Sequence, residues 1–330
     1  MLVDGQWVER GFVAKGSRFR RAESQFRHHI QGTREAPTTA RCFPVDAHRY
    51  RLYVAWACPW AHRTLLVRAL YGLEEVLPVA VVQPEMMDDG WTFDAAHPDP
   101  FYGLGKLRDL YLRAASDCTS RVTVPVLWDV VDDTIVNNES SEVIRMLAGP
   151  MAVLGRNDAT LAGYDLRPPG LTAELDALNE RIYHTVNNGV YRCGFAGGQE
   201  AYDEACTALF DTLDWLEERL THRRWLAGNV FTEADLRLFP TLVRFDAVYH
   251  GHFKCNRRML GDYAALSAWV RDVFQLSGVS DTIRMDETRR HYYFSHRSLN
   301  PLGIVPQGPS VDFSGPPNRD HLGPHPAARQ

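Results

Sequence analysis

The feature that most constrains this chain is a cysteine followed by a proline, placed between an apolar stretch and a helical pattern. The stretch RYRLYVAWA (49–57) is rich in β-branched and aromatic residues and predicts a buried strand. The residues that follow carry apolar side chains at helical spacing, namely Leu65, Leu66, Ala69 and Leu70. Pro59 suits the first helical turn, because its missing N–H would have no intrahelical partner there. The sequence therefore predicts that Cys58 lies at a strand-to-helix junction.

The length and composition fit a folded protein of more than one domain. The chain has 330 residues, and domains usually hold about 150, so two domains are expected. Its hydrophobic content of 45% and charged content of 23% are ordinary for folded proteins. The formal net charge of -5 gives no electrostatic reason to bind nucleic acid or an anionic membrane surface. We expect a small organic partner.

The hydropathy and cysteine patterns predict a cytoplasmic protein. Residues 1–24 lack the apolar core of roughly 7 to 15 residues that a signal peptide needs. No later run reaches the roughly 18 apolar residues of a membrane span. The cysteines are scattered and form no C-x-x-C pair or metal-ligand cluster. We therefore expect free thiols, no bound metal and no membrane partner.

Strand and helix patterns divide the chain into an α/β part and an all-α part. Further strands are predicted in VLPVAVVQP (76–84), VTVPVLWDV (122–130) and TIVN (134–137), and a helix begins in ESSEVIRML (139–147). This order of elements is typical of a thioredoxin-like half. From residue 171 the patterns are amphipathic helices. We expect an N-terminal thioredoxin-like domain followed by a C-terminal helical domain.

The expected boundaries follow from these patterns and from clusters of Gly and Pro. They are an N-terminal extension packing on the core (1–48), a thioredoxin-like domain (49–148) with an insert at about 85–121, a linker (149–170), an all-helical domain (171–300) and a partly mobile tail (301–330). Within the helical part, Thr232 with Asp235 three positions on resembles a capping box, which marks the start of a helix.

Cys58 is the first candidate for chemistry. At the positive end of a helix, the pKa of a thiol can fall from about 8.5 into the range of roughly 3.5 to 7.5, so that thiolate is available at neutral pH. The alternative is an inert core thiol, since burial raises the pKa. His62 and Arg63 could tune the thiol or be solvated residues of the helix face. Trp60 and Ala61 stand where a dithiol oxidoreductase has its second cysteine, so an external thiol must resolve a mixed disulfide.

Pro125 interrupts a predicted strand in VTVPVLWD. A proline inside a strand costs a ladder hydrogen bond and needs a reason. One explanation is a cis Val124–Pro125 bond that turns the backbone of Val124 outward to pair with an extended peptide ligand. The other is a proline on an edge strand.

Glu139 and Ser140, in NNESSEV, stand at the predicted start of a helix. Free N–H groups there favour a bound carboxylate, and a serine hydroxyl adds a donor. Glu139 could receive an ammonium group. A ligand with both charges at one end, such as the γ-glutamyl end of glutathione, would fit. The alternative is a helix cap without a ligand.

Several blocks of the sequence together indicate a family. They are CPWAHR, VPVLWD, NNES, NNGVYRCGFA, FTEADLRLF, LVRFDAVYHGHFKCN and HYYFSHRSLNPLGIVPQGP. With these blocks the chain resembles the glutathionyl-hydroquinone reductases, the xi class of the glutathione transferase superfamily, from about residue 10 to 310. Omega-class transferases share a Cys-Pro start but lack the HFKCN and SLNPLGIVP blocks. The resemblance implies a thioredoxin-like domain followed by a helical domain of the glutathione transferase type.

The resemblance implies a glutathione site in the thioredoxin-like domain. Trp91 matches a tryptophan that covers the bound glutathione, although a loop aromatic can simply pack its loop. Val124 matches the residue whose backbone pairs with the tripeptide. Glu139 and Ser140 match the pair that holds the γ-glutamyl end. Arg121 is a further glutathione contact.

The resemblance also implies the catalytic and quinol-facing residues. Cys58 matches the catalytic cysteine. Tyr191 in NNGVYRCGF and Tyr292 in RHYYF match two tyrosines that face the quinol, and the adjacent Tyr293 is the other candidate for the second position. Without the resemblance, both tyrosines could be amphipathic core residues. Members of the family pair as homodimers.

The implied reaction is the glutathione-dependent reduction of glutathionyl-hydroquinones to hydroquinones. It proceeds through a mixed disulfide between Cys58 and glutathione and releases oxidised glutathione. Glutathione is thus a co-substrate, glutathionyl-quinols are the other partners, and no metal takes part. Two alternatives remain: an omega-like thiol transferase or dehydroascorbate reductase, and a non-enzymatic binding module with a transferase fold.

Overall fold

The computed structural model describes residues 1–9, 18–19, 23–36 and 39–326. These residues form two units by their internal contacts. The first unit contains residues 1–9, 23–36, 39–163 and 281–291, and the second contains residues 18–19, 164–280 and 292–326. The chain therefore enters the first unit again after residue 280.

Two short strand pairs lie near the start of the first unit. They are β1 (Leu2–Val3) with the antiparallel β2 (Gln6–Trp7), and β3 (His29–Ile30) with the parallel β4 (Cys42–Phe43). The amide of Leu2 donates to the carbonyl of Ser120, and the amide of His28 donates to the carbonyl of Val136. Backbone hydrogen bonds thus attach the start of the chain to residues more than a hundred positions later.

A four-stranded mixed sheet forms the centre of the first unit. Its strands are β5 (Tyr50–Val54), β6 (Val79–Val81), β7 (Val126–Asp129) and β8 (Thr134–Asn137). The order across the sheet is β6-β5-β7-β8, with β5 parallel to β6 and antiparallel to β7, and β7 antiparallel to β8. This topology confirms the predicted thioredoxin-like half.

Prolines make two of these strands shorter than the apolar runs that predicted them. β6 takes three residues of 76–84, and β7 takes four residues of 122–130. β6 begins at the residue directly after Pro78, and β7 begins at the residue directly after Pro125. Because proline has no N–H to donate, the ladder begins only after it.

Three helices flank the sheet in the first unit. They are α1 (Pro59–Leu70), α2 (Leu107–Ala114) and α3 (Ser140–Ala148). α1 packs against α3, and its apolar residues Leu65 and Leu66 are buried, as their spacing predicted. α2 lies in the predicted insert between β6 and β7.

The second unit is helical. Its helices are α4 (Thr172–Ile182), α5 (Gly189–Gly194), α6 (Gln199–His222), α7 (Glu233–Leu242), α8 (His250–His252) and α9 (Ala264–Phe274). Within residues 18–19, 164–280 and 292–326 there is no β-strand. The expected fold class, α/β plus all-α, is therefore confirmed.

Shorter helical segments complete the chain. α10 (Met285–Arg289) belongs to the first unit. π-helical turns occupy Tyr183–Asn187, Phe245–Tyr249 and Arg290–Phe294, and 3₁₀ turns occupy Pro150–Leu154, Pro169–Leu171, Leu260–Asp262, Ser280–Thr282 and Asp320–Leu322. None of the helices in the described ranges has the length and apolar character needed to cross a membrane.

The predicted capping box at the start of α7 is confirmed. The amide of Thr232 donates to the carboxylate of Asp235 at 3.0 Å. The same carboxylate accepts from the amide of Leu226 at 2.9 Å and from the indole of Trp269 at 3.1 Å. Burial raises the pKa of Asp235 to about 6 in spite of these donors, which lower it.

Candidate active site

Cys58 caps α1 with its side chain. Its backbone is extended (φ -76°, ψ 118°), and Pro59 is the first helical residue. The amide of Ala61 donates to the sulfur at 3.5 Å, and the thiol donates to the carbonyl oxygen of Val124 at 3.6 Å. A sulfur that receives an N–H at a helix N-terminus is in surroundings that favour thiolate. The inert alternative requires burial, and Cys58 is partly exposed.

His62 and Arg63 are buried, so the alternative that they are solvated residues of the helix face is wrong. Arg63 is 1% exposed, its guanidinium lies 4.6 Å from the centre of the Trp60 ring, and it donates to the hydroxyl of Ser140 at 3.3 Å. His62 Nε2 lies 2.8 Å from the hydroxyl of Thr282. A buried cation is costly unless it is paired, and Arg63 faces the residues that begin α3.

Glu139 caps α3 and is held by three donors. Its carboxylate accepts from the amide of Ser141 at 3.1 Å, from the hydroxyl of the same residue at 3.0 Å and from the hydroxyl of Ser24 at 3.2 Å. Its own amide donates to Oδ1 of Asn137 at 2.7 Å. A carboxylate has about four acceptor positions, and these donors use three of them. The Glu139 carboxylate can therefore still accept from an ammonium group.

The pKa of Glu139 is lowered although the residue is largely buried. Burial disfavours the charged form and raises the pKa, but the amide and hydroxyl of Ser141 lower it by donating to the carboxylate. The positive charges of Arg63 and Arg27 lower it further. The Glu139 carboxylate is therefore ionised at neutral pH, as an ammonium-binding group must be.

The Val124–Pro125 peptide bond is cis, as the first of the two explanations for this proline requires. The pairing of the Val124 backbone with an extended peptide ligand stays a prediction. The carbonyl oxygen of Val124, the residue before this proline, accepts from the thiol of Cys58. Arg121 lies three residues earlier in the chain and is partly exposed. The structure thus brings Cys58 and Val124 together, in the same unit as Glu139, Ser140 and Arg121.

Trp91 is packed within its unit. It is 6% exposed, and its ring stacks on that of His291 with centroids 4.8 Å apart and planes inclined by 19°. Nδ1 of His291 lies 2.8 Å from the carbonyl oxygen of Pro84 and must carry the proton, because a carbonyl can only accept. The role of Trp91 as a cover for glutathione stays a prediction.

Tyr191 and Tyr292 meet through their hydroxyls although 101 positions separate them. Their oxygens are 2.6 Å apart. Tyr292 is buried and Tyr191 is partly exposed. The ring of Tyr293 instead faces His252, with centroids 4.6 Å apart. The two tyrosines selected from the sequence therefore share one cluster in the second unit.

Tyr249 is a third member of this cluster, and it was not predicted from the sequence. Its hydroxyl lies 3.1 Å from that of Tyr292. Its ring stacks on Phe253 with centroids 5.5 Å apart and planes inclined by 17°. On another side of the cluster, Phe19 stacks on Tyr191 at 6.0 Å. The spacing of four between Tyr249 and Phe253 is the signal that could have found it.

The other cysteines are free thiols. Cys42 is exposed, whereas Cys118, Cys193, Cys206 and Cys255 are buried. Burial raises the pKa of the Cys255 thiol, which makes it a poor nucleophile.

In the part of the chain that the structure describes, no group of three or more His, Cys, Asp and Glu side chains could hold a metal ion.

Comparison with known proteins gives matches along nearly the whole chain. Residues 57–149 match the glutathione S-transferase N-terminal domain, and residues 199–272 match the C-terminal domain. The chain is 49% identical over 320 residues to the glutathionyl-hydroquinone reductase PcpF of Sphingobium chlorophenolicum, which covers 96% of this chain and 98% of that protein. It is 46% identical over 326 residues to the glutathionyl-hydroquinone reductase YqjG of Escherichia coli K12, with 97% and 98% covered.

Two solved structures share the fold. The glutathione-bound structure of YqjG from Escherichia coli has a TM-score of 0.87 at 45% identity and covers 97% of this chain and 98% of that one. The xi-class transferase from Natrialba magadii has a TM-score of 0.88 at 44% identity, with 98% of each chain covered. The fold and the cysteine-capped helix thus define a glutathione transferase. Within that superfamily the chain belongs to the xi class, the family of glutathionyl-hydroquinone reductases, and it is an enzyme.

Proposed function

We propose that this enzyme reduces glutathionyl-hydroquinones to hydroquinones at the expense of glutathione. The observation that carries the proposal is the sulfur of Cys58, which receives the Ala61 amide at the start of α1 and has no second cysteine in its motif. Two relatives that bear the name of this activity, at 49% and 46% identity, support the substrate class. A cluster of phenol rings around Tyr191 suits an aromatic substrate with hydroxyl groups.

In the first half-reaction, the Cys58 thiolate attacks the sulfur of the glutathionyl-hydroquinone. A disulfide forms between Cys58 and glutathione, and the bond between that sulfur and the aromatic carbon breaks. The carbon leaves with the bonding electron pair and takes up a proton, so the ring is reduced and the Cys58 sulfur is oxidised. We assign the supply of this proton to the pair Tyr191 and Tyr292.

In the second half-reaction, the thiolate of another glutathione attacks the glutathione sulfur of the mixed disulfide. Oxidised glutathione forms, and the Cys58 thiolate leaves. The amide of Ala61 stabilises the charge on the departing sulfur. Because the first product departs before the second glutathione reacts, the kinetics are of the ping-pong type.

Glutathione binding is assigned to the first unit. Glu139 receives the ammonium group of the γ-glutamyl end, and Ser140 with the N-terminus of α3 receives its carboxylate. The backbone of Val124 pairs with the tripeptide, Arg121 is a further contact, and Trp91 covers it. The ionised and oriented carboxylate of Glu139 supports this assignment, as does the glutathione-bound structure of the relative YqjG.

Intact-protein mass spectrometry after mixing with glutathionyl-menadiol tests the proposal. We expect one glutathione adduct on Cys58, located by peptide mapping, together with free menadiol in solution. Adduct formation from small glutathione disulfides, but none from glutathionyl-menadiol, would instead identify a general thiol transferase or dehydroascorbate reductase. No adduct from either compound would contradict the proposed role of Cys58.

The assembly and compartment are also proposals. The resemblance to the xi class leads us to propose that two copies of the chain pair as a homodimer, which sedimentation equilibrium tests. The free state of its cysteines supports a reducing compartment, the cytoplasm. Localisation of a fluorescent fusion in the source cells tests the second point.

A further inference from the structure

The hydroxyls of three tyrosines form a chain of two hydrogen bonds in the second unit. The oxygens of Tyr249 and Tyr292 are 3.1 Å apart, and those of Tyr292 and Tyr191 are 2.6 Å apart. The rings of Tyr249 and Tyr292 meet edge to face, with centroids 5.5 Å apart and planes inclined by 85°. Because the Tyr249 ring also stacks on Phe253, packing on two sides fixes the position of its hydroxyl.

Exposure increases from one end of this chain to the other. Tyr249 is 0% exposed and Tyr292 is 1% exposed, whereas Tyr191 is partly exposed. The geometry of the Tyr249–Tyr292 pair admits either oxygen as the donor. A buried phenol proton without an acceptor is costly, so the favoured order has Tyr249 donating to the oxygen of Tyr292. Each phenol has one proton, so Tyr292 then donates to Tyr191. The proton of Tyr191 is thereby directed away from the oxygen of Tyr292.

The two buried tyrosines keep their protons at neutral pH. Burial raises the pKa of both Tyr249 and Tyr292 well above 10, and the neighbouring Tyr191 raises it further. The positive charge of the buried Arg244 opposes this shift in both residues. Tyr249 and Tyr292 are therefore hydrogen-bond donors under the conditions in which the enzyme works.

We propose that Tyr249 is a positioning residue for quinol release. Its hydroxyl fixes the direction of the two hydrogen bonds, so that Tyr191 presents its own proton to the leaving aromatic carbon. The proton passes from the Tyr191 oxygen to the carbon that has kept the electron pair. The resulting Tyr191 phenolate is stabilised by the O–H of Tyr292, which Tyr249 polarises. Water returns a proton to Tyr191 between turnovers. This inference rests on the proposed function and deepens it.

The test is the variant Tyr249→Phe, which removes one buried hydroxyl and keeps the ring. Rapid mixing with glutathionyl-menadiol should show a rate constant for menadiol release about 3- to 10-fold lower at saturating substrate, the factor expected for one neutral hydrogen bond. The half-saturation concentration should not change. Attack of glutathione on the preformed Cys58 mixed disulfide should not change either, because a thiolate leaves without a proton.

Two further variants separate positioning from a general loss of packing. Tyr263→Phe also removes a buried hydroxyl in the second unit, one that donates to Asp214 at 3.0 Å, and it should leave both half-reactions unchanged. In a Tyr191→Phe background, Tyr249→Phe should slow menadiol release by less than about 2-fold, because its effect acts through the Tyr191 proton.

The inference is overturned if Tyr249→Phe leaves menadiol release at the wild-type rate or slows both half-reactions equally. A full effect of Tyr249→Phe in the Tyr191→Phe background also overturns it. Wild-type enzyme that accepts small glutathione disulfides but never releases menadiol overturns the proposed function instead, and with it this assignment. Menadiol release by the wild-type enzyme therefore distinguishes the two cases. If the wild type does not release menadiol, the proposed function is wrong; if it does, only the role of Tyr249 is in question.

Discussion

The amide of Ala61 donates to the sulfur of Cys58 across 3.5 Å, three residues along the same helix. The sulfur thus occupies the position of an N-cap oxygen, and it meets an N–H group that the helix leaves without an intrahelical partner. The side chain of Cys58 is therefore both the cap of α1 and the proposed nucleophile. Substitutions can separate these two properties.

We expect Cys58→Ser to abolish menadiol release while the free energy of unfolding stays within about 1 kcal/mol of wild type, because a serine hydroxyl also caps a helix. Cys58→Ala should abolish release as well and should lower that free energy by about 0.5–2 kcal/mol, through loss of the cap. Steady-state assays and chemical denaturation measure the two effects. Residual release above a few per cent in either variant contradicts the role of Cys58.

Alkylation of Cys58 should have a pH midpoint below about 7, since the N-terminus of α1 favours the thiolate. The measurement is the rate of reaction with iodoacetamide as a function of pH. The profile of Cys58→Ala is subtracted, because the exposed Cys42 also reacts. A midpoint near 8.5, the value of an ordinary thiol, would show that the helix has no such effect.

Tyr191→Phe should slow the release of menadiol by about 10²- to 10⁴-fold, the usual worth of a general acid. Tyr292→Phe should slow the same step, because Tyr292 stabilises the phenolate that Tyr191 becomes. Neither change should affect the attack of glutathione on the mixed disulfide. Rapid-mixing measurement of both half-reactions decides the matter, and equal slowing of the two would indicate that these rings only support the core.

Glu139→Gln should raise the KM for glutathione by about 10- to 100-fold with little change in kcat, because it removes the charge that pairs with the ammonium group. Ser24→Ala deletes one neutral donor to the same carboxylate and should raise KM by only about 2- to 10-fold. Initial rates at varied glutathione concentration provide the measurement. An unchanged KM in Glu139→Gln means that Glu139 is a cap without a ligand.

Asp235 should make folding less favourable as pH rises from about 4 to about 7. Its pKa, about 6, is raised above the ordinary 3.8, so the folded state holds a proton that the unfolded state loses in this window. Relative to Asp235→Asn, the wild type should lose up to about 3 kcal/mol of unfolding free energy across it. Denaturation of both proteins at several pH values checks this, and a difference independent of pH would contradict it.

The features predicted best from the sequence depend on residues close together in the chain. The helix that starts after Cys58 and the capping box of Asp235 each involve neighbours within three positions. At that range, the residue types themselves fix the backbone conformation or supply the hydrogen bond. The periodic spacing of apolar residues likewise predicted α1, α3 and the helical character of the chain from residue 171. At Pro125 the sequence left a cis bond and an edge-strand proline equally open, and the structure has the cis bond.

Features that depend on distant partners could not be predicted in this way. Ser24 lies 115 positions before Glu139, and Tyr249 lies 43 positions before Tyr292. No local pattern encodes such pairs, because only the folded chain brings them together. Arg63 shows the same limit, since helical spacing alone does not distinguish a solvated arginine from one buried beside its partners.

The attachment of the early chain to α3 also sets the order in which the enzyme can be assembled during synthesis. Ser24 and Arg27 bind Glu139 and Glu142, each 115 positions later. A ribosome adds about 5–20 residues per second, so the early segment waits at least about 6 s for its partners to be made. A nascent chain that ends before residue 139 already contains the cysteine-capped helix, but it still lacks the carboxylate proposed to hold glutathione. The nucleophile is thus translated well before the group that would select its co-substrate.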